Sequence, residues 1–413
     1  MRLAPAYTEP MLSTTQRHLS DLRGATRLAA DATLGLADLV EAMHGRIASL
    51  PGLASDGPLQ GRTGGVTGLV YKSIRGVTRL VGGSVDTLLG LLTPLLQPAQ
   101  GAASREREAV VAALNGVLGD HMAATGNPLA TTMALRHQGH ALTLHASSLR
   151  AAIPDARDGL LVLVHGLCMN DLQWLRDGHD HGAFLTRELG LTPVYVHYNS
   201  GLPVHVNGAA LAALMDRLLA AWPQPLQRVV LLCHSMGGLL ARSALHQGAA
   251  AGQAWPARVD DAVFLGTPHH GAPLERAGHW LDMVLGATPY AAPLARLGKV
   301  RSAGITDLRH GSVLTPLAAS PITGRPRLPR HLPLPEHLRC FALAASLGAE
   351  PDSVKGRALG DGLVPVASAL GRHKQASRTL AFDPQRQLVL PGMNHMELLS
   401  RPEVAAQLLR WLA

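Results

Sequence analysis

Between Arg228 and Leu245 the sequence passes from an unbroken apolar run into a helical pattern, with only a short bend between them. Arg228-Val229-Val230-Leu231 reads as a strand buried on both faces, and Leu239 to Leu245 as the opening turns of a helix. The bend is Leu232-Cys233-His234-Ser235-Met236-Gly237-Gly238. A strand that turns straight into a helix brings two backbones close together, so small residues must flank the turn. The same alternation recurs along the chain. Ala141 to Leu144, Gly159 to Val164, Pro193 to His197, Ala262 to Gly266, Cys340 to Ala345 and Gln387 to Leu390 are further short apolar runs. Helical patterns lie between several of them, Gly208 to Trp222 and Gly237 to Gln247 among these. Short buried strands alternating with helices predict an α/β domain, a mainly parallel sheet with helices on both faces.

Ser235 stands at the point of the bend. A serine hydroxyl is a weak nucleophile until it is exposed to a base and aimed at a carbonyl. A sharp strand-to-helix turn does this, and it points the helix N-terminus and the next backbone N–H at the developing oxyanion. Gly237 supplies the small residue on one side of the serine, with His234 as its near neighbour on the other. Cys233 stands where such turns usually carry glycine, a departure that its small side chain tolerates. The plain alternative is a serine that merely caps the helix. Upstream, His165-Gly166-Leu167-Cys168 directly follows the run ending at Val164. A loop at such a strand end can supply a second oxyanion donor, so the Leu167 and Met236 N–H groups are the expected pair. His165 is expected to shape that loop through hydrogen bonds rather than to transfer protons, with Gly166 beside it.

Taken together, His165-Gly166, Ser235 in its turn and Gly266-Thr267-Pro268-His269-His270-Gly271 after the next strand resemble bacterial α/β-hydrolase lipases and esterases. They are also similar to lipases related to GPI inositol deacylases, in which a Thr-Pro-His-x-Gly segment follows the strand after the nucleophile helix. The resemblance covers roughly residues 135 to 413 and implies the α/β-hydrolase fold and ester hydrolysis. It implies the chain order serine, acid, histidine. Asp361, in Gly360-Asp361-Gly362-Leu363-Val364-Pro365, looks like the acid of that triad, with Asp307 as the rival. Only His373 and His395 follow Asp361, and His395 alone follows a strand end, so His395 is the expected base. Glu397 is better explained as part of a helix start than as a partner of His395. No cofactor is required. Tyr198-Asn199-Ser200-Gly201 and Asn207-Gly208 read as loops near the site that position Cys168-Met169-Asn170-Asp171.

Composition removes other classes. The net charge of +8 comes from scattered Arg with only four Lys and no dense basic run, which argues against nucleic-acid binding. Cys168, Cys233 and Cys340 have no metal-ligand spacing and are odd in number, so neither a disulfide framework nor a zinc site is expected. The pair His269-His270 lacks a third ligand, and no metal is expected there. Met1 to Thr15 lacks the pattern of a secretory leader, and Leu80 to Leu96 is interrupted by Asp86, two glycines and Pro94. A cytoplasmic location, with peripheral attachment allowed, is the expectation.

The first ~130 residues read as helices outside the resemblance. Val66, Val70, Ile74, Val77, Val81, Val85, Leu88, Leu92 and Leu95 make one stripe at helical spacing, and Leu36, Val40, Met43, Ile47 and Leu50 a shorter one. A third helix is expected from about Arg105 to Met122. These helices either pack as a cap on the catalytic domain or dock on a lipid or storage-granule surface. The domains expected are therefore a helical extension over residues 1–130 and an α/β-hydrolase domain over 131–413. A cap or lid insertion is expected at about 268–336, with Trp280 to Leu297 as its apolar part. The expected substrate is a hydrophobic or lipid-like carboxylic ester. Two alternatives remain: an acyltransferase or thioesterase using the same triad, or a non-catalytic scaffold at a lipid or granule surface.

Overall fold

The computed structural model describes residue 24 and residues 105–272, 302–315, 331–349 and 360–413. The two apolar stripes before residue 100 and the apolar segment 280–297 lie outside the described residues. The expected helix near Arg105 is α1 (Arg105–Ala124). Its residues 108–121 belong to the same compact unit as residues 131–413.

That unit is built on an eight-stranded sheet in the order β2-β1-β4-β3-β5-β6-β7-β8. The strands are β1 (Ala134–His137), β2 (His140–Ala141), β3 (Gly159–Val164), β4 (Thr192–His197), β5 (Arg228–His234), β6 (Asp261–Leu265), β7 (Arg339–Ser346) and β8 (Gln387–Pro391). From β4 to β8 every pairing is parallel; β1 joins β4 antiparallel and forms a hairpin with β2. The run expected as a strand at Ala141 to Leu144 joins the sheet only at its start, with Ala141 opposite Arg136 and Leu142 N donating to Leu135 O (2.7 Å). Gln138 (φ 49°) and Gly139 (φ 79°) turn the hairpin tightly, and the chain then leaves the sheet to bury Leu144 and start α2 (Ala146–Ala152).

The central strands lie between helices, which is why they read as continuous apolar runs rather than as alternating ones. All six residues of β3 are buried, as are all five of β6. Leu161, Leu163, Val230, Leu232, Val263, Leu265 and Leu343 pack with Leu398, Leu399, Val404 and Leu408 of the C-terminal segment. Each such leucine contributes about 2 kcal/mol of burial free energy. For the helix that follows Ser235, α5 (Met236–Ala250), the close neighbour is α4 (Val204–Ala221). A Cβ on Gly208 of α4 would lie 2.3 Å from Ser243 Oγ of α5, so glycine sets how closely these helices approach.

At the amino edge of the sheet Asp261 is fully buried and its Oδ2 accepts from Arg228 Nη2 (2.7 Å) and Arg339 Nη2 (2.9 Å). A buried carboxylate needs such pairing, and here it joins the starts of three neighbouring strands. The opposite, carboxyl edge carries the loops that bear Gly166, Ser235 and His395. Between β3 and β5 the chain direction of sheet building reverses, and open α/β sheets bind ligands outside the carboxyl ends at that point.

Candidate active site

β3 and β5 are hydrogen-bonded neighbours with Val164 opposite Cys233, so the residues that follow them emerge side by side. Ser235 follows β5 with φ 54° and ψ −124°, a conformation that non-glycine residues rarely hold. Its N–H donates to Leu265 O of β6 (2.8 Å), and its carbonyl accepts from Gly238 N (3.1 Å). Both glycines after the turn have a steric reason. A Cβ on Gly237 would lie 2.2 Å from Val164 O, and one on Gly238 would lie 2.1 Å from Thr267 Oγ1. Cys233, in the place of the usual glycine, is fully buried within the sheet.

Gly166, just past β3, packs its α-carbon on the serine: a Cβ there would lie 3.1 Å from Ser235 Cβ. Next in the loop, the Leu167 N–H finds no protein acceptor among the described residues, and neither does Met236 N–H at the start of α5. His165 is fully buried. It stacks on Tyr198 at 4.3 Å, its Nδ1 donates to Gly166 O (2.8 Å), and its carbonyl accepts from Tyr198 Oη (2.9 Å). Burial pushes its pKa down to about 3, so it stays neutral and holds the loop.

Asp361 and His395 come together from separate loops. His395 Nδ1 donates to Asp361 Oδ2 at 2.6 Å, and His395 N–H donates to Asp361 O at 3.0 Å. The other carboxylate oxygen, Oδ1, accepts from Leu363 N (2.9 Å) and Val364 N (2.8 Å). The carboxylate is fully buried, and these bonds satisfy it. Gly360 (φ 55°) and Gly362 (φ 94°) allow the tight loop around it. Asp307 instead accepts from Val204 N (2.8 Å) at the start of α4. His373 contacts the ring edge of His270 at 4.9 Å and accepts from Gln375 N through Nδ1 (3.0 Å).

His395 opens a 3₁₀ turn, His395–Leu399, capped by Asn394. Asn394 Oδ1 accepts from Met396 N (2.9 Å) and Glu397 N (3.1 Å), while Glu397 Oε2 accepts from Asn394 N (2.7 Å). Glu397 is thus half of a capping box, as the helix-start reading expects. The His395 ring lies 4.7 Å from that of His234, whose Nε2 donates to His395 O (3.3 Å). It also lies over Gly266, where a Cβ would sit 3.1 Å from His395 Nδ1. The turn at Ser235 and the end of β6 therefore form the floor beneath this imidazole.

Several supporting residues escaped sequence reasoning. His181, buried at the start of α3 (His181–Leu189), donates through Nε2 to Leu398 O (2.9 Å) and so braces the turn that carries His395. Burial holds its pKa down to about 4. No local motif marks it, because its partner is remote in sequence. The Asn394–Glu397 spacing, by contrast, is a legible capping signal. The segment after β6 is tied to α7 (Val366–Ala369): His269 N donates to Ser368 O (3.2 Å) and His270 N to Ser368 Oγ (3.1 Å). His269 and His270 thus serve the loop beside Asp361, and among the described residues no cluster suited to a metal ion is found. No described helix is long and apolar enough to cross a membrane. All three cysteines are free and buried.

Residues 209–317 match the family described as PGAP1-like alpha/beta domain. No curated protein is significantly similar to the chain. Among solved structures, the Bacillus licheniformis lipase BlEst2 in mature form is 20% identical over 62% of this chain and 91% of that chain, with a TM-score of 0.39. The Pyrococcus furiosus esterase Pf2001 is 12% identical over 62% of this chain and 81% of that chain, with a TM-score of 0.36. The RedJ thioesterase from the prodiginine biosynthetic pathway in Streptomyces coelicolor is 17% identical over 63% of this chain and 91% of that chain, with a TM-score of 0.35. By its sheet order and the strand-to-helix turn at Ser235, the chain has the α/β-hydrolase fold, and over residues 209–317 it matches the PGAP1-like alpha/beta domain family.

Proposed function

We propose that this protein is a serine carboxylic-ester hydrolase. Ser235 Oγ attacks the ester carbonyl while His395 takes its proton; the oxyanion of the tetrahedral intermediate is held by the N–H groups of Leu167 and Met236. His395 then returns the proton to the departing alcohol, leaving an acyl-serine. Water, deprotonated by the same imidazole, attacks that ester and releases the carboxylic acid and free Ser235. Asp361 fixes the tautomer of His395 and stabilises the imidazolium. The observation that carries this reading is the 2.6 Å Asp361–His395 pair, seated on the ring of the residue that precedes Ser235.

The substrate class we favour is a hydrophobic or lipid-like ester, with peripheral contact to a lipid or granule surface through residues 1–130. The test is turnover of p-nitrophenyl esters from acetyl to palmitoyl by wild type and Ser235→Ala, with matched acyl thioesters alongside. Turnover by wild type alone supports the assignment, and the ratio of ester to thioester rates separates esterase from thioesterase. Equal turnover in both proteins sinks the role of Ser235. Silence of wild type on every substrate sinks the hydrolase reading.

A further inference from the structure

The loop that carries the Leu167 N–H is gripped on two sides. On one side Gly166 packs on Ser235. On the other, Cys168 holds a left-handed backbone (φ 58°) that a non-glycine residue adopts only under constraint. Its N–H donates to Ser200 Oγ (3.0 Å), and its backbone lies against Gly116 of α1. A Cβ on Gly116 would lie 2.2 Å from Cys168 Sγ and 2.9 Å from Cys168 Cα.

One helical turn further on, Gly119 meets the loop that supplies Ser200. A Cβ there would lie 1.9 Å from Asn199 Oδ1, and the existing contact is a hydrogen bond, Asn199 Nδ2 to Gly119 O (2.9 Å). Asn199 Oδ1 in turn accepts from Gly201 N (3.0 Å). Gly201 is itself irreplaceable by position, since a Cβ on it would lie 2.2 Å from Asn115 O. The same stretch of α1 is pinned from behind. Ser302 Oγ donates to Gly116 O (2.7 Å), and Ala303 N to Asp120 Oδ2 (2.8 Å), at the start of α6 (Ala303–His310). Arg136 adds a third link, reaching both Glu108 Oε2 (3.4 Å) and Asp171 Oδ1 (3.1 Å), just beyond the oxyanion loop.

We propose that residues 108–121 are a strut for the oxyanion site, with Gly116, Gly119 and Ser200 as positioning residues for the Leu167 N–H. This rests on the ester-hydrolase reading. The helix precedes the part of the chain that resembles hydrolases, yet it sets how closely the donor loop can approach Ser235. Two glycines one turn apart in a helix interior weaken the helix relative to alanine. That cost has a use here, because only glycine lets the backbones of α1 and the two loops touch. An ester in its ground state gains little from the oxyanion donors, so a displaced loop lowers kcat and leaves KM nearly unchanged.

The test uses the full chain and its Gly119→Ala, Ser200→Ala and Ser200→Thr variants. Ser200→Ala adds no bulk and keeps the fold intact, and Ser200→Thr keeps a hydroxyl acceptor for Cys168 N–H. For Gly119→Ala and Ser200→Ala, kcat on a soluble p-nitrophenyl ester is expected to fall about tenfold or more, with KM within about twofold. Ser200→Thr is expected to recover most of that loss. The proposal is overturned if Ser200→Ala keeps wild-type kcat while Ser235→Ala is dead. It is also overturned if kcat in the variants falls only in step with the folded fraction measured by urea unfolding. A wild type without turnover fails the hydrolase reading and takes the strut with it, a result distinct from active enzyme with indifferent variants.

Discussion

Asp361 and His395 are joined twice, side chain to side chain at 2.6 Å and main chain to main chain at 3.0 Å. The second bond fixes the loop even if the first is altered. The first decides which nitrogen of His395 carries the proton. With Nδ1–H given to the carboxylate, Nε2 is left without a proton, as the proposed reaction requires of its base.

Asp361→Asn tests this directly. Leu363 N and Val364 N both donate to Oδ1, so an asparagine keeps its oxygen there and turns its NH₂ toward His395 Nδ1. The imidazole is then driven to the tautomer with its proton on Nε2, which cannot accept from Ser235. A drop of about four orders of magnitude in kcat is expected, as for comparable carboxylate-to-amide changes in triads. Steady-state kinetics together with the urea midpoint check it; a variant that retains more than a tenth of wild-type kcat would refute the tautomer role.

The backbone of Ser235 predicts an inversion of the usual order of stability. At φ 54° and ψ −124° a side chain is strained by about 1–3 kcal/mol, and glycine is not. Glycine loses about 0.4–1 kcal/mol through the greater freedom of its unfolded chain. Ser235→Gly should therefore be more stable than Ser235→Ala by about 1 kcal/mol, both being inactive. Urea denaturation of the pair measures the difference, and an alanine variant of equal or greater stability would contradict the strain.

Buried imidazoles make the fold acid-sensitive. Burial lowers His165 to about 3 and His181 to about 4, and holds His234 and His269 well below 6.5. In the unfolded chain each takes up a proton as the pH falls through 6.5, while the folded protein does not. The unfolded state then binds more protons, so stability is intact above that pH and declines below it. Each such histidine costs about 1.4 kcal/mol per pH unit in this window. Unfolding midpoints measured between about pH 6.5 and pH 4 should fall steeply, and His181→Gln should flatten the slope by about one proton. An unchanged slope would show that His181 is protonated in the native protein.

The cysteines should be silent. Burial raises Cys168 and Cys340 to about 12 and Cys233 further still, and none is in a disulfide. Iodoacetamide at neutral pH should leave the native chain unmodified, whereas all three thiols should react in denaturant. Mass spectrometry reads the outcome, and rapid native labelling of Cys168 would mean that the loop from Gly166 to Cys168 opens.

What the sequence determined by itself was whatever depends on neighbours in the chain. Gly159 to Val164 was legible as a strand because a strand buried on both faces is apolar throughout, and it is one. The bend at Ser235 was legible because a strand meeting a helix leaves only small residues tolerable at Gly237 and Gly238. His395 stood out as the histidine that follows a strand end. The run expected as a strand at Ala141 to Leu144 leaves the sheet after Leu142, where the chain turns to bury Leu144 and start α2. Tertiary structure alone decided which remote groups meet. Asp361 lies in a loop and Asp307 in α6, and only the folded chain sends one to His395 and the other to the start of α4. Nothing near His181 announces Leu398, and nothing near Gly116 announces Cys168, because those partnerships are made by packing between segments far apart in sequence. Local pattern specifies the elements; the distances that govern chemistry arise only when close packing brings those elements together.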